Sequence, residues 1–212
     1  MSKNYQFIAI TGIDGSGKST VIEKLRSSNI SFAVADWEQV LRKGNLLEGL
    51  GIAFKKHPSS ILRELKGLSR TLVLSAFLSL LVDYIIRPAL SSGQRIIAES
   101  YVDIYRAKES VYGEAHPYIF ELLDAMPQPE ITIFIDTDPR IAYRRKSIKG
   151  TITKYECYHD GTMEDFVQFQ LDVRERLLKL LESKKYIIVD GNQPPDVVAS
   201  LIREHIIGEP NA

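Results

Sequence analysis

Cysteine is almost absent from this 212-residue chain: Cys157 stands alone. That excludes an intrachain disulfide and a cysteine-built metal cluster, and it fits a reducing, cytoplasmic setting. Net charge is absent too. The 27 Lys and Arg balance 27 Asp and Glu, so no overall field draws the chain to nucleic acid or to an anionic membrane. Long apolar runs are missing: the longest, residues 71–82, falls short of a bilayer span and stops at Asp83. The first residues, Ser2, Lys3 and Asn4, are polar and lead into strand-like sequence rather than a secretory leader. No internal repeat, low-complexity tract or linker divides the chain. With 44% hydrophobic and 25% charged residues, the composition suits one α/β domain over 1–212.

A phosphate-binding sequence is present. Gly12-Ile13-Asp14-Gly15-Ser16-Gly17-Lys18-Ser19, with Thr20 next, satisfies G-x-x-x-x-G-K-S. Its glycines let backbone N–H groups turn inward around a di- or triphosphate. Lys18 supplies mobile positive charge, and the Ser19 hydroxyl suits a Mg²⁺ ion travelling with the nucleotide. Residues 7–10 form a short buried-strand run before it. Val21, Ile22 and Leu25 after it follow helical spacing, which is the context the motif demands.

Apolar runs at 7–10, 31–35, 95–98, 131–135 and 186–189 alternate with helical stretches, so the expected fold is a parallel sheet with helices on both faces. Ligands of such sheets collect at the carboxyl ends of the strands, where Asp14, Asp36, Glu99, Asp136 and Asp190 fall. A long helix is expected from about 58 to 87 with a break at Gly67, placing Leu72, Leu74, Ala76, Leu78 and Leu81 on the core face. A second, over 163–182, carries an apolar stripe of Phe166, Phe169, Val173, Leu177 and Leu180. Residues 147–162 lack periodicity and read as a mobile lid.

Three roles follow from the chemistry of phosphoryl transfer, where positioning and charge stabilisation dominate. Lys18 and the loop amides hold the triphosphate. Ser19 ligates the metal, and Glu99, at the end of a strand beside the loop, orients a metal-bound water. Arg144 and Arg145, with Lys146, Lys149 and Lys154, flank the lid and supply cations to the migrating group. A guanine-reading N-K-x-D segment is missing, as is an apolar strand ending in paired acids, so a switch GTPase or a motor ATPase fits less well than a small-molecule kinase. A nucleotide-binding protein without turnover remains a third reading.

The chain resembles the thymidylate kinases over almost its whole length. The phosphate loop is similar, its acid at Asp14 included. Ile86-Arg87-Pro88-Ala89-Leu90, Gly93 and the strand to Ala98 look like the segment before that family's Asp-Arg-Tyr motif, and Glu99-Ser100-Tyr101 occupies the motif itself. Residues 129–136, followed by Asp138-Pro139 and Ala142, are similar to the family's fourth strand and next helix. Residues 186–194 resemble its last strand and adenine loop. The resemblance implies a P-loop NTPase three-layer sandwich with a five-stranded parallel sheet and a short lid, ATP and Mg²⁺, and a homodimer. It puts Arg145 near the adenine or the phosphates, Asn192 and Gln193 beside the purine, and Asp14 towards the acceptor's sugar. Because Gly15 stands where some members carry a phosphate-loop arginine, it also implies that the catalytic cations come from the lid.

The acceptor side departs from the family pattern. Ser100 replaces the arginine of Asp-Arg-Tyr, Leu78 stands where a second nucleotide-contacting arginine is expected, and Lys108-Glu109 replaces Tyr-Gln after Ala107. Serine and leucine do not replace a bidentate arginine–phosphate contact. Arg70, Arg106 and Lys108 are the candidates for the missing charge. Asp36, Trp37 and Glu38 follow the second strand, where related deoxynucleoside kinases place a glutamate. The expected reaction is therefore ATP-dependent phosphoryl transfer to a nucleoside monophosphate, with dTMP as the family default. The alternative is a hydroxyl acceptor, with Asp36 or Glu38 as base.

Overall fold

The structure is a computed structural model and describes residues 5–28, 30–41, 62, 64–113, 117–159 and 161–207. Five parallel strands, β1 (Phe7–Thr11), β2 (Ala33–Ala35), β3 (Ile96–Glu99), β4 (Ile131–Asp136) and β5 (Tyr186–Asp190), lie in the order β2-β3-β1-β4-β5. All five residues of central β1 are buried, as befits a strand covered on both faces. Edge strand β5 leaves Ile188 half exposed. The sheet confirms the expected α/β P-loop architecture, and the strand runs lie within two residues of the expected bounds.

Alternate side chains of the central strands feed two cores. Phe7, Ala9, Ile96, Ala98 and Phe134 join one cluster with α3 (Gly67–Leu81), α5 (Val102–Tyr112) and α8 (Met163–Leu181). Ile8, Ile10, Ile97, Ile133 and Ile135 join the other with α1 (Lys18–Ser27) and α9 (Pro195–Ile207). Short α2 (Trp37–Leu41) follows β2, and α6 (Pro117–Asp124) follows α5.

The long apolar helix begins, within the described residues, at Gly67 with φ 51°, and it continues through a π-turn (Val82–Ile86) into α4 (Arg87–Ser91). Pro88 lacks an N–H and its ring crowds an α-helical ladder, so widening the preceding turn lets the helix run on. At 25 residues, Gly67–Ser91 is long and apolar enough by length and composition to cross a membrane, longer than the apolar run suggested. In this fold Leu74, Phe77, Leu78, Leu81, Val82 and Ile86 lie in the first core. The expected core face needs correction: Leu72 and Ala76 are exposed. An apolar helix has no unique periodic stripe, and the row that packs is Leu74, Phe77, Leu78 and Leu81, with Arg70 and Thr71 one turn earlier. The part expected over 58–66 lies largely outside the described residues.

The segment expected as a lid, 147–162, carries regular structure over much of its described length. Helix α7 (Pro139–Lys149) starts at Asp138, whose carboxylate accepts from the Arg140 N–H, and stops at Gly150 with φ 62°. A 3₁₀ turn (Lys154–Glu156) then closes a capping box between Thr153 and Glu156. Tyr155, Glu156 and Cys157 are buried, so this segment is tucked against the body.

Candidate active site

The phosphate loop leaves β1 and returns as α1. Gly12, Gly15 and Gly17 have φ of 154°, 80° and 96°, which frees consecutive amides to face one centre. A Cβ on Gly15 would sit 2.7 Å from the Ala142 carbonyl oxygen of α7, so no side chain fits there. Lys18 is buried, and its Nζ donates to the Gly12 and Ile13 carbonyls at 3.0 and 2.9 Å, spanning the mouth of the loop. Burial lowers its pKa, against the pull of Asp14 and Glu99.

Parallel pairing sets Glu99 opposite Ile10, and the Ser19 hydroxyl donates to Glu99 Oε1 at 2.5 Å. Burial raises the Glu99 pKa and nearby Asp36 and Glu38 add to it, while the Ser19 hydrogen bond and Lys18 oppose them. A hydroxyl and a carboxylate in contact beside an amide nest suit Mg²⁺ delivered with a nucleotide. Among the described residues no three His, Cys, Asp or Glu converge, so such an ion would draw most of its oxygens from phosphates and water.

Three loops zip together beside this nest. Thr137 donates to the Ser16 carbonyl at 3.3 Å, and the Gly191 N–H to the Asp136 carbonyl at 2.7 Å. Arg145 of α7 donates Nη2 to the Gly191 carbonyl at 3.0 Å and Nη1 to that of Ser16 at 3.5 Å. It has no carboxylate partner among the described residues, and burial lowers its pKa. The Asn192 amide oxygen accepts from the Asp138 N–H at 2.9 Å, and Gln193 donates to Asp190 at 3.0 Å. Both side chains are thus occupied in shaping the loop. Arg144 is exposed and, among the described residues, bonds its own helix at the Arg140 carbonyl rather than the phosphate loop.

Asp14 anchors the other flank. Its Oδ2 lies 2.6 Å from Lys108 Nζ. Gln170 accepts from the Asp14 N–H and donates to Oδ2, both at 3.0 Å, and donates to the Glu156 carbonyl at 3.1 Å. Burial pushes the Asp14 pKa up, but the ammonium groups of Lys108, Lys18 and Lys146 outweigh it and hold the carboxyl at about 2. Lys146 also pairs with Glu156 at 3.0 Å. Sequence reasoning missed Gln170, although a glutamine among Phe166, Phe169 and Val173 on a buried stripe is itself a signal. It also missed Tyr155 and Glu156, which lie in a stretch without periodicity.

The remaining acceptor candidates divide. Arg70 is buried, with Nε on both Glu109 oxygens at 3.0 and 3.1 Å and its guanidinium 4.2 Å from the Tyr112 ring centre. The Tyr155 hydroxyl donates to the same Glu109 at 3.2 Å. Trp37 donates to the Tyr105 hydroxyl at 2.5 Å and packs edge-on against Phe77. Asp36 caps α2 by accepting from the Gln39 N–H at 2.9 Å, and Glu38 is exposed on that helix. Ser100 holds φ 55°, the one positive-φ non-glycine among the described residues. Tyr101 is core, edge-on to Phe7. Arg106 is a correction: it pairs with Asp124 on the opposite side of α5 from Lys108. There it lines a separate cavity of about 550 Å³ with Arg176, Lys179 and Lys184. Two residues along a helix turn the side chain about 200°, which no local pattern reveals.

This arrangement has relatives. A family model described as thymidylate kinase matches residues 59–202. A probable thymidylate kinase from Pyrobaculum aerophilum is 30% identical over 213 residues, covering 94% of this chain and 95% of that protein. The chain belongs to the thymidylate kinase family. A thymidylate kinase from Photobacterium profundum is 27% identical, with 94% of each chain covered. The family model starts after the phosphate loop, whereas the relatives span nearly the whole chain. As a member of the thymidylate kinase family, the protein is a P-loop phosphotransferase of the nucleoside monophosphate kinase type.

Proposed function

We propose that the protein transfers the γ-phosphoryl group of ATP to a nucleoside monophosphate, with dTMP as the family's default acceptor and Mg²⁺ bound alongside the nucleotide. The observation that carries this reading is the continuous donor surface, in which the amide nest, Lys18, the Ser19–Glu99 pair and Arg145 form one wall from β3 to the loop after β5. On nucleotide binding, Lys18 exchanges the Gly12 and Ile13 carbonyls for β- and γ-phosphate oxygens. Arg145, next to the Ser16 carbonyl, offsets charge on the migrating group; exposed Arg144, one residue before it on α7, is the second cation proposed for that role. Mg²⁺ at Ser19 would neutralise phosphate charge, and Glu99 would orient its water. With the Asn192 and Gln193 side chains occupied, the backbone of their loop faces the purine. Asp14 faces the acceptor's sugar.

A monophosphate acceptor is ionised near neutral pH and needs cations more than a base, whereas a hydroxyl acceptor needs a carboxylate within reach. Asp36 is engaged as a helix cap, which favours the first case. The family resemblance also supports a homodimer and a cytoplasmic setting. Half-exposed Leu68 and Leu72 on α3 suit a covered face.

ADP formation tests the reading, measured with dTMP and other mononucleotides against the corresponding nucleosides, in the wild type and in Asp36→Asn/Glu38→Gln. Turnover with a mononucleotide that survives the double substitution is expected. Turnover with nucleosides alone, lost in the double variant, would establish the hydroxyl-acceptor mechanism. No turnover with any acceptor would leave a nucleotide-binding protein.

A further inference from the structure

We infer that Lys108 is the cation that grips the acceptor's phosphate in this chain, in place of the arginine that stands at position 100 in related kinases. The inference rests on the monophosphate-kinase reading and names the group that would hold the acceptor.

Among the described residues, the other positions where the sequence offers or the family places this charge are accounted for elsewhere. Ser100 is neutral, Leu78 is fully buried in the core, and Gly15 has no room for a side chain. Arg70 is held by both Glu109 oxygens, by the Leu65 carbonyl at 3.2 Å and by the face of Tyr112, and it is only 4% exposed. Arg106 belongs to the far groove of α5 with Asp103 and Ser110. Among the described residues, Lys108 is the one of the three sequence candidates that reaches the phosphate loop.

Helix α5 presents Tyr105, Lys108, Glu109 and Tyr112 along one stripe, spaced three and four residues apart. Tyr105, Glu109 and Tyr112 meet Trp37, Arg70 and Tyr155, while Lys108 extends to Asp14 Oδ2 at 2.6 Å with its ammonium 4.6 Å from the Tyr155 ring centre. That ammonium and Lys146 both bear electrostatically on Lys18, so three cations converge on the seam between the donor loop and the acceptor side. A lysine is a compact charge on a flexible stem with three donors, able to exchange one anion for another. An incoming phosphate dianion carries more charge than the Asp14 carboxylate. When Lys108 moves to it, Asp14 keeps the Gln170 amide at 3.0 Å.

Calorimetric binding of dTMP against thymidine, and of AMP against adenosine, tests the assignment in the wild type, Lys108→Gln and Lys108→Arg. Loss of one charge-assisted contact predicts a roughly 10–100-fold fall in mononucleotide affinity for Lys108→Gln. Nucleoside and ATP affinities should stay within about threefold, and Lys108→Arg should recover part of the loss. Equal losses for nucleotide and nucleoside, or none for either, would overturn the inference. Lys108→Gln leaves Asp14 without its ion pair, so Asp14→Asn and Asp14→Asn/Lys108→Gln complete the set. Asp14→Asn alone should keep the preference for monophosphate over nucleoside, and the double variant should lose it. A double variant that keeps it would reduce Lys108 to a neutraliser of Asp14 and sink the proposal. A wild type that phosphorylates no mononucleotide would fail the underlying reading; one that does so while Lys108→Gln matches it would fail this inference alone.

Discussion

Glu99 is a half-buried carboxylate whose pKa is raised first by desolvation and then by Asp36 and Glu38. Such a group favours the folded state fully only below its unfolded pKa of about 4.3, and that contribution is lost as pH rises through the folded value. At neutral pH Glu99 therefore costs stability. Glu99→Gln keeps an acceptor for the Ser19 hydroxyl and removes the charge. It should raise Tm at pH 7 while lowering kcat about 100-fold. A lower Tm with unchanged kcat would show that Glu99 is structural. Asp14 has the opposite sign. Its pKa is held down at about 2, so its contribution is present above about 3.9 and disappears as pH falls towards 2. Urea unfolding should show Asp14→Asn losing less stability than the wild type over that acid window.

Gly191 and Gln170 act by joining elements. A Cβ at Gly191 would lie 2.1 Å from Thr137 Oγ1 and 2.6 Å from Ile135 Cγ2, so Gly191→Ala must part the loops after β4 and β5. Overpacking of this kind costs about 2 kcal/mol, a fall of roughly 4–8 °C in Tm for a domain this size. It should also raise the KM for ATP, because Arg145 bonds the Gly191 carbonyl. An unchanged melting curve would contradict that packing. Gln170→Leu keeps the bulk but strands the Asp14 N–H and the Glu156 carbonyl, and a few kcal/mol of destabilisation by chemical unfolding is expected. The phosphate loop was legible in sequence because its motif is local, and Glu99 because strand ends share an edge. The partners of Arg70, Lys108 and Asp136 were not legible: Glu109 lies 39 residues from Arg70, and Arg174 lies 38 from Asp136. Only the packing of α3, α5 and α8 brings them together.

At the scale of the whole molecule, a sheet with both faces covered makes its strands continuous apolar runs, and this is why the fold could be read from composition and spacing. The same burial hides which side of a helix faces which partner, so Leu72 and Ala76 of α3 were misassigned and Arg106 was placed in the wrong groove. Two ion pairs tie α5 to its surroundings, Lys108–Asp14 to the phosphate loop and Arg70–Glu109 to α3. The most direct test of this account is the mass of the nucleotide products after incubation of the purified protein with ATP, Mg²⁺ and each mononucleotide. A mononucleotide that gains one phosphoryl group as ATP becomes ADP, in the wild type and not in Lys18→Ala, is the predicted result. Acceptors left unchanged throughout, or equal product from Lys18→Ala, would contradict it.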